Sequence, residues 1–118
     1  MKDCTIYKTI DIIGKRWTLC ILLELYKGSN EEKRFNELKK KLQTITPKTL
    51  STRLKELEQE GLVKKTLDES KDPVIYTYSL TRSGEEFMEI IQSIKRWGLE
   101  WKFENKICGL SNCKNCKL

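Results

Sequence analysis

The sequence predicts a mainly α fold with one β-hairpin, of α+β class, and three observations carry that prediction. Apolar residues recur at helical spacing through most of the chain. The period shifts to that of strands between residues 62 and 80, and helix-starting and helix-ending residues fall at the seams. The 118 residues suit one domain with a core of its own.

Ile6, Ile10 and Ile13 share a face, predicting a short amphipathic helix over 4–13 that Gly14 breaks. From Lys15 to Tyr26 the chain is apolar nearly all round, as expected of a helix buried at the centre, and Gly28 suits its C′ position. The polar stretch 28–33 reads as a loop. Phe35, Leu38 and Leu42 mark a short third helix with Asn36 as its N-cap. Thr46 then caps a fourth helix, and Pro47 takes its first position, where a missing N–H costs nothing. Leu50, Leu54 and Leu57 form that helix's apolar stripe, up to Gly61.

Residues 62–67 and 74–80 are strand-like around a turn cluster at 68–73, a hairpin that must lean on the helices. Thr81 caps a last helix over about 82–106, with Phe87, Ile90, Ile91, Ile94, Trp97 and Trp101 along its stripe. At 1.5 Å per residue it would run roughly 37 Å, longer than this body can cover, so its far half needs another partner. The domain is expected to span 1–106, with 107–118 a tail that holds three of the five cysteines.

Composition narrows the function. No run of about 18 apolar residues is present, so no membrane span is expected. The N-terminus lacks the pattern of a signal peptide, and a cytoplasmic location is expected. Histidine is absent, which removes Ser-His-Asp and Cys-His catalysis and every imidazole metal site. With no phosphate loop, paired carboxylates or nucleophile motif either, the expectation is a binding module rather than an enzyme.

Charge is concentrated. Residues 33–65 hold ten bases and four acids, an excess equal to the whole chain's +6. Such a local excess suits a polyanion such as double-stranded DNA. It also coincides with two helices joined by about four residues, the spacing of a helix-turn-helix. The order of helices, hairpin and long helix is that of a winged helix-turn-helix domain, whose second motif helix enters the major groove. Opposite Leu50, Leu54 and Leu57 that helix offers Lys48, Thr49, Ser51, Thr52, Arg53 and Lys55, with Arg53 the expected bidentate reader of guanine. Its basic first half and acidic second half run against the helix macrodipole, which favours an anion near the N-terminal half. A winged helix can also be a protein-docking module without DNA, and salt-dependent duplex binding separates the two.

Several motifs resemble HxlR-type transcriptional regulators. They are Lys15-Arg16-Trp17-Thr18-Leu19, Arg34-Phe35-Asn36-Glu37-Leu38, the stretch from Ile45 to Glu58, Gly61-Leu62-Val63 and Tyr78-Ser79-Leu80-Thr81. The resemblance runs from about Cys4 to Trp101. It implies a homodimeric winged-helix regulator whose first and last helices form the dimer interface. Arg34 and Lys40 on the third helix are further candidate DNA contacts beside the exposed face of the fourth. Family wings often carry a base before the second strand. Here the turn Asp68-Glu69-Ser70-Lys71-Asp72-Pro73 has three acids, and Lys71 is the one candidate phosphate contact at the tip.

Cys20, within the central helix, is expected to be packing. Cys108, Cys113 and Cys116 have C-x4-C-x2-C spacing, and with Cys4 they would make four thiolates for zinc or an iron–sulfur cluster. The family interface would bring Cys4 toward the tail, within one chain or across the dimer. Resemblance also implies a thiol sensor at Cys4, since HxlR-type members often carry a cysteine near the N-terminus. Metal site, redox switch and ordinary reduced thiols all stay open at this level.

Overall fold

A computed structural model describes residues 3–116; Met1, Lys2, Lys117 and Leu118 lie outside the described residues. The elements run α1 (Thr5–Ile13), α2 (Thr18–Tyr26), β1 (Lys33–Arg34), α3 (Phe35–Leu42), α4 (Pro47–Gln59), β2 (Val63–Asp68), β3 (Ile75–Leu80), α5 (Arg82–Glu86), α6 (Met88–Trp101) and α7 (Lys106–Leu110), then a 3₁₀ turn at Cys113–Asn115. This is a mainly helical chain with a small antiparallel sheet in the order β1-β3-β2.

α2 is the central post. Ile21, Leu22 and Leu25 are buried, and α2 packs against α3, α4, α6 and β3. Each buried aliphatic side chain contributes about 1.5–3 kcal/mol from area removed from water. The core closes with Leu38 of α3, Leu50, Leu54 and Leu57 of α4, Val63 of β2, and Phe87, Met88 and Ile91 at the start of the last helices. Gly28 has φ +82° just beyond α2, as a C′ glycine does. The helix starts later than its apolar run suggests. Trp17 has φ +79°, and its carbonyl accepts the Ile21 N–H, so the first helical residue is Thr18. Trp17 itself packs against the core, which holds this uncommon backbone in place.

Cys20 is exposed, not core packing. A helix apolar nearly all round does not reveal which side meets solvent, and position 20 faces out.

β1 replaces the end of the expected loop. Lys33 pairs with Tyr78 and Arg34 with Thr77. This extends Arg34 and makes it, not Asn36, the N-cap of α3, with Glu37 accepting the Arg34 N–H at 3.2 Å. The hairpin register runs from Val63 opposite Leu80 to Asp68 opposite Ile75.

The single long helix expected over 82–106 is two. Thr81 does cap it, accepting the Gly84 N–H. Gly84 is buried against the Leu62 carbonyl so closely that a Cβ there would collide with it. The chain turns at Phe87 and continues as α6, which ends at Trp101. Two asparagine caps order the chain beyond α6: Asn105 accepts the Cys108 N–H at 3.0 Å, and Asn112 accepts the Asn115 N–H at 2.9 Å. The tail also docks, with the Gly28 N–H donating to the Lys114 carbonyl at 2.6 Å and Lys95 Nζ to the Ser111 carbonyl at 2.8 Å.

Candidate nucleic-acid interface

α3 and α4 are joined by residues 43–46, and buried Ile45 plugs this turn into the core. Thr46 Oγ1 accepts the Thr49 N–H at 3.1 Å and donates to Thr49 Oγ1 at 2.9 Å, so the hydroxyl of Thr49 belongs to the cap. The inner face of α4 is its leucine stripe. On the outer face Lys48, Ser51, Thr52 and Lys55 are exposed. Thr52 Oγ1 donates to the Lys48 carbonyl at 2.9 Å, which leaves its oxygen as an acceptor. Arg34 and Lys40 are exposed at the two ends of α3, and Lys71 is exposed at the hairpin tip.

Arg53 does not join this surface as expected. Its Nε donates to the Arg16 carbonyl at 3.1 Å and its Nη1 meets Glu56 Oε1 at 2.9 Å. The other Glu56 oxygen takes Lys15 Nζ at 2.8 Å. In the free chain Arg53 is therefore a strut that fastens α4 to the α1–α2 turn. Sequence reasoning missed this clasp because Lys15 and Glu56 lie 41 residues apart and neither sits in a local pattern.

The Lys15 ammonium donating to Glu56 holds that carboxyl below its ordinary value of 4.5. Slight burial opposes this, and the nearby Lys15 and Arg53 charges add to the lowering. Lowering on folding means the clasp stabilises the fold above the unfolded carboxylate's pKa and loses that contribution as pH falls through the lower folded value. Thermal melts from about pH 6 down to about pH 3 should therefore fall less steeply for Glu56→Gln than for the wild type. Identical acid limbs would show the clasp to be energetically silent.

At the hairpin tip the Ser70 hydroxyl and amide both donate to Asp68, the amide at 3.0 Å, and hold its carboxyl below the usual carboxylate range. The tip is a self-bonded acidic turn with Lys71 beside it. Along the sheet, Lys65 Nζ lies 4.2 Å from the Tyr76 ring centroid, a further basic group that the motifs did not single out.

The four-thiolate set is not assembled in one chain. Among the described residues no group of three or more cysteines and acids lies close enough to hold a metal ion. Cys113 is buried in the 3₁₀ turn that packs on α2, Cys108 and Cys116 are half-buried, and Cys4 is exposed at the N-cap of α1. The four thiols are thus spread over the start of α1, α7 and the docked tail.

Residues 12–106 match the HxlR-like helix-turn-helix family model. The HTH-type transcriptional regulator YvaP of Bacillus subtilis is 40% identical over 94 residues, covering 80% of this chain and 83% of the relative. A solved transcriptional regulator from Porphyromonas gingivalis W83, ascribed to the MarR family, superposes with a TM-score of 0.75 at 33% identity, over 86% of this chain and 95% of that one. The reduced form of the B. subtilis transcriptional regulator YodB superposes with a TM-score of 0.74 at 30% identity, over 87% and 98% of the two chains. YodB has also been solved diamide-treated and quinone-bound. With the helix-turn-helix and its hairpin in place and the family model covering most of its length, this chain belongs to the HxlR-like helix-turn-helix family and is a transcriptional regulator of the winged-helix type.

Proposed function

We propose that the protein binds double-stranded DNA as a homodimer, with α4 in the major groove and the hairpin as a wing. The observation that carries this is the division of α4 into a buried leucine stripe and an exposed face of Lys48, Ser51, Thr52 and Lys55. The first turn of α4 contains no acid, so the positive end of the helix dipole and the Lys48 side chain together favour phosphate. Lys40 and Arg34 on α3 extend the positive strip, Lys55 would meet phosphate beside Lys48, and Ser51 would read a base edge.

An apolar ridge calls for the second copy. Ile6, Tyr7 and Ile10 of α1 and Ile90, Ile94, Trp97 and Trp101 of α6 are all exposed. Seven large apolar side chains left exposed on these two helices suit an interface. A two-fold axis through the ridge would set the two α4 helices about one helical turn of DNA apart, ~34 Å. Genomic DNA recovered with the protein and sequenced should share an inverted repeat with half-site centres about 10–10.5 base pairs apart. Fragments without a common element would count against sequence-specific binding and for a docking module.

Control through a thiol is the finer part of the reading. Cys4 is exposed and opens α1, the helix that supplies part of the ridge. YodB, to which this chain is similar, has diamide-treated and quinone-bound forms. Diamide takes two electrons and two protons from two thiols, leaving a disulfide and a hydrazine. The expected result is a diamide-induced disulfide that includes Cys4, seen on a non-reducing gel, with operator affinity changed and then restored by dithiothreitol. Cys4→Ser should abolish both effects. Operator binding that stays constant through complete oxidation contradicts the sensor.

A further inference from the structure

A cleft of about 670 Å³ opens between the C-terminal end of α2, the β1–α3 junction and the docked tail. That volume accommodates a metabolite-sized molecule. Four lysines line it, Lys27, Lys33, Lys41 and Lys114, against two acids, Glu24 and Glu37. Glu24 is committed to Lys27 at 3.1 Å, with both side chains largely buried. Lys33 Nζ donates to the Leu25 and Asn30 carbonyls at 2.8 and 2.9 Å, which fixes the ammonium in the wall without neutralising it. Lys114 Nζ stands 4.9 Å over the Tyr26 ring. Neither Lys41 nor Lys114 makes an ion pair among the described residues. Among the described residues, setting aside the Glu24–Lys27 pair leaves three ammonium groups and one carboxylate, an excess of two positive charges.

We propose that this cleft binds a small organic dianion, a dicarboxylate or a phosphorylated compound, through Lys33, Lys41 and Lys114. The charge excess matches a dianion, and ammonium-to-oxyanion bonds are the strong, charge-assisted kind. Lys33 is held below the ordinary lysine range, first by burial and then by the charge of Lys114, while Glu24 and Glu37 oppose this. An anion would relieve that repulsion. Lys33 and Lys41 lie within the family match and Lys114 beyond residue 106, where it ends, so the cleft joins the domain to the docked tail. Lys33 directly precedes the N-cap of α3, and Leu38 and Lys41 lie on α3 itself, so an occupant presses on the helix next to α4. That coupling rests on the DNA-binding reading; ligand binding does not.

Calorimetric titration of the full chain with inorganic pyrophosphate and, separately, succinate tests the site. At least one should bind saturably, one per chain, with Kd below about 1 mM, and the preferred probe identifies the headgroup chemistry. Lys41→Gln and Lys114→Gln should each weaken binding by about tenfold. Lys8→Gln, which removes the same charge from exposed α1, should change it less than about twofold. The bound probe should also slow iodoacetamide alkylation of Cys116, in the cleft wall, while leaving exposed Cys20 unaffected. No saturable binding of either probe up to about 10 mM overturns the proposal. So does an equal loss in Lys8→Gln and Lys41→Gln, or equal protection of both cysteines. On DNA, the probe should alter the affinity of the wild type but not of the Lys41→Gln/Lys114→Gln double variant. The calorimetry needs no DNA, so failure of the cleft and failure of the DNA reading are separately visible.

Discussion

Replacing Trp97 and Trp101 together by glutamate should convert the protein to a monomer and weaken operator binding by about a hundredfold or more. Both indoles are more than half exposed, at 56% and 67%, so the single-chain core does not depend on them. In the dimer each would bury a large apolar area, and tryptophan is among the side chains that dominate interface energetics. Four glutamates facing one another across a two-fold seam would add like-charge repulsion to that loss. Two half-sites read by one dimer gain from effective concentration, and a monomer forfeits that gain even with α4 intact. Sedimentation at micromolar concentration checks assembly, gel shifts check affinity, and circular dichroism checks that the fold survives. A double variant that remains dimeric, or a wild type that sediments as a monomer, contradicts the ridge as a self-interface.

The largest expected effect on stability belongs to Leu54→Ala. Leu54 is 1% exposed and lies in the middle of the α4 stripe, against the core of α2 and the sheet. Removing its side chain should cost about 2–5 kcal/mol, the transfer term plus the cavity left behind. For a domain of this size that lowers the melting temperature by roughly 10–25 °C. Leu110→Ala, at a leucine 91% exposed, should stay within about 0.5 kcal/mol of wild type. Equal effects from the two substitutions would mean that α4 is not anchored by its leucine stripe.

What the sequence made legible was local. The leucine stripe, the Thr46-Pro47 start and the turn cluster at 68–73 each draw on contacts a few residues apart, and α4 and the hairpin stand where those signals put them. Features made by distant pairing were not visible. β1 is a two-residue strand that exists because Lys33 and Arg34 meet Tyr78 and Thr77. The close approach of Gly84 to the Leu62 carbonyl is likewise a contact that no helical period records. Arg53 looked free on its helix face, and the carbonyl and carboxylate that hold it come from the α1–α2 turn and the next helical turn. Cys113 read as part of an open tail, yet capping by Asn112 and the Gly28–Lys114 hydrogen bond fold it inward. Of the candidate interface, the exposed face of α4 could be read from periodicity; the clasp that orients it could not.

Fluorescence anisotropy on a duplex taken from the genomic pull-down, repeated across salt concentrations, tests the DNA-binding account most directly. A dimer making about eight phosphate contacts should show log K falling against log salt with a slope of about −7. Lys48→Gln combined with Lys55→Gln removes two contacts from each copy and should flatten that slope by about 4. A slope near zero, or a slope unchanged in the double variant, would contradict the assignment of α4 as the surface that meets DNA.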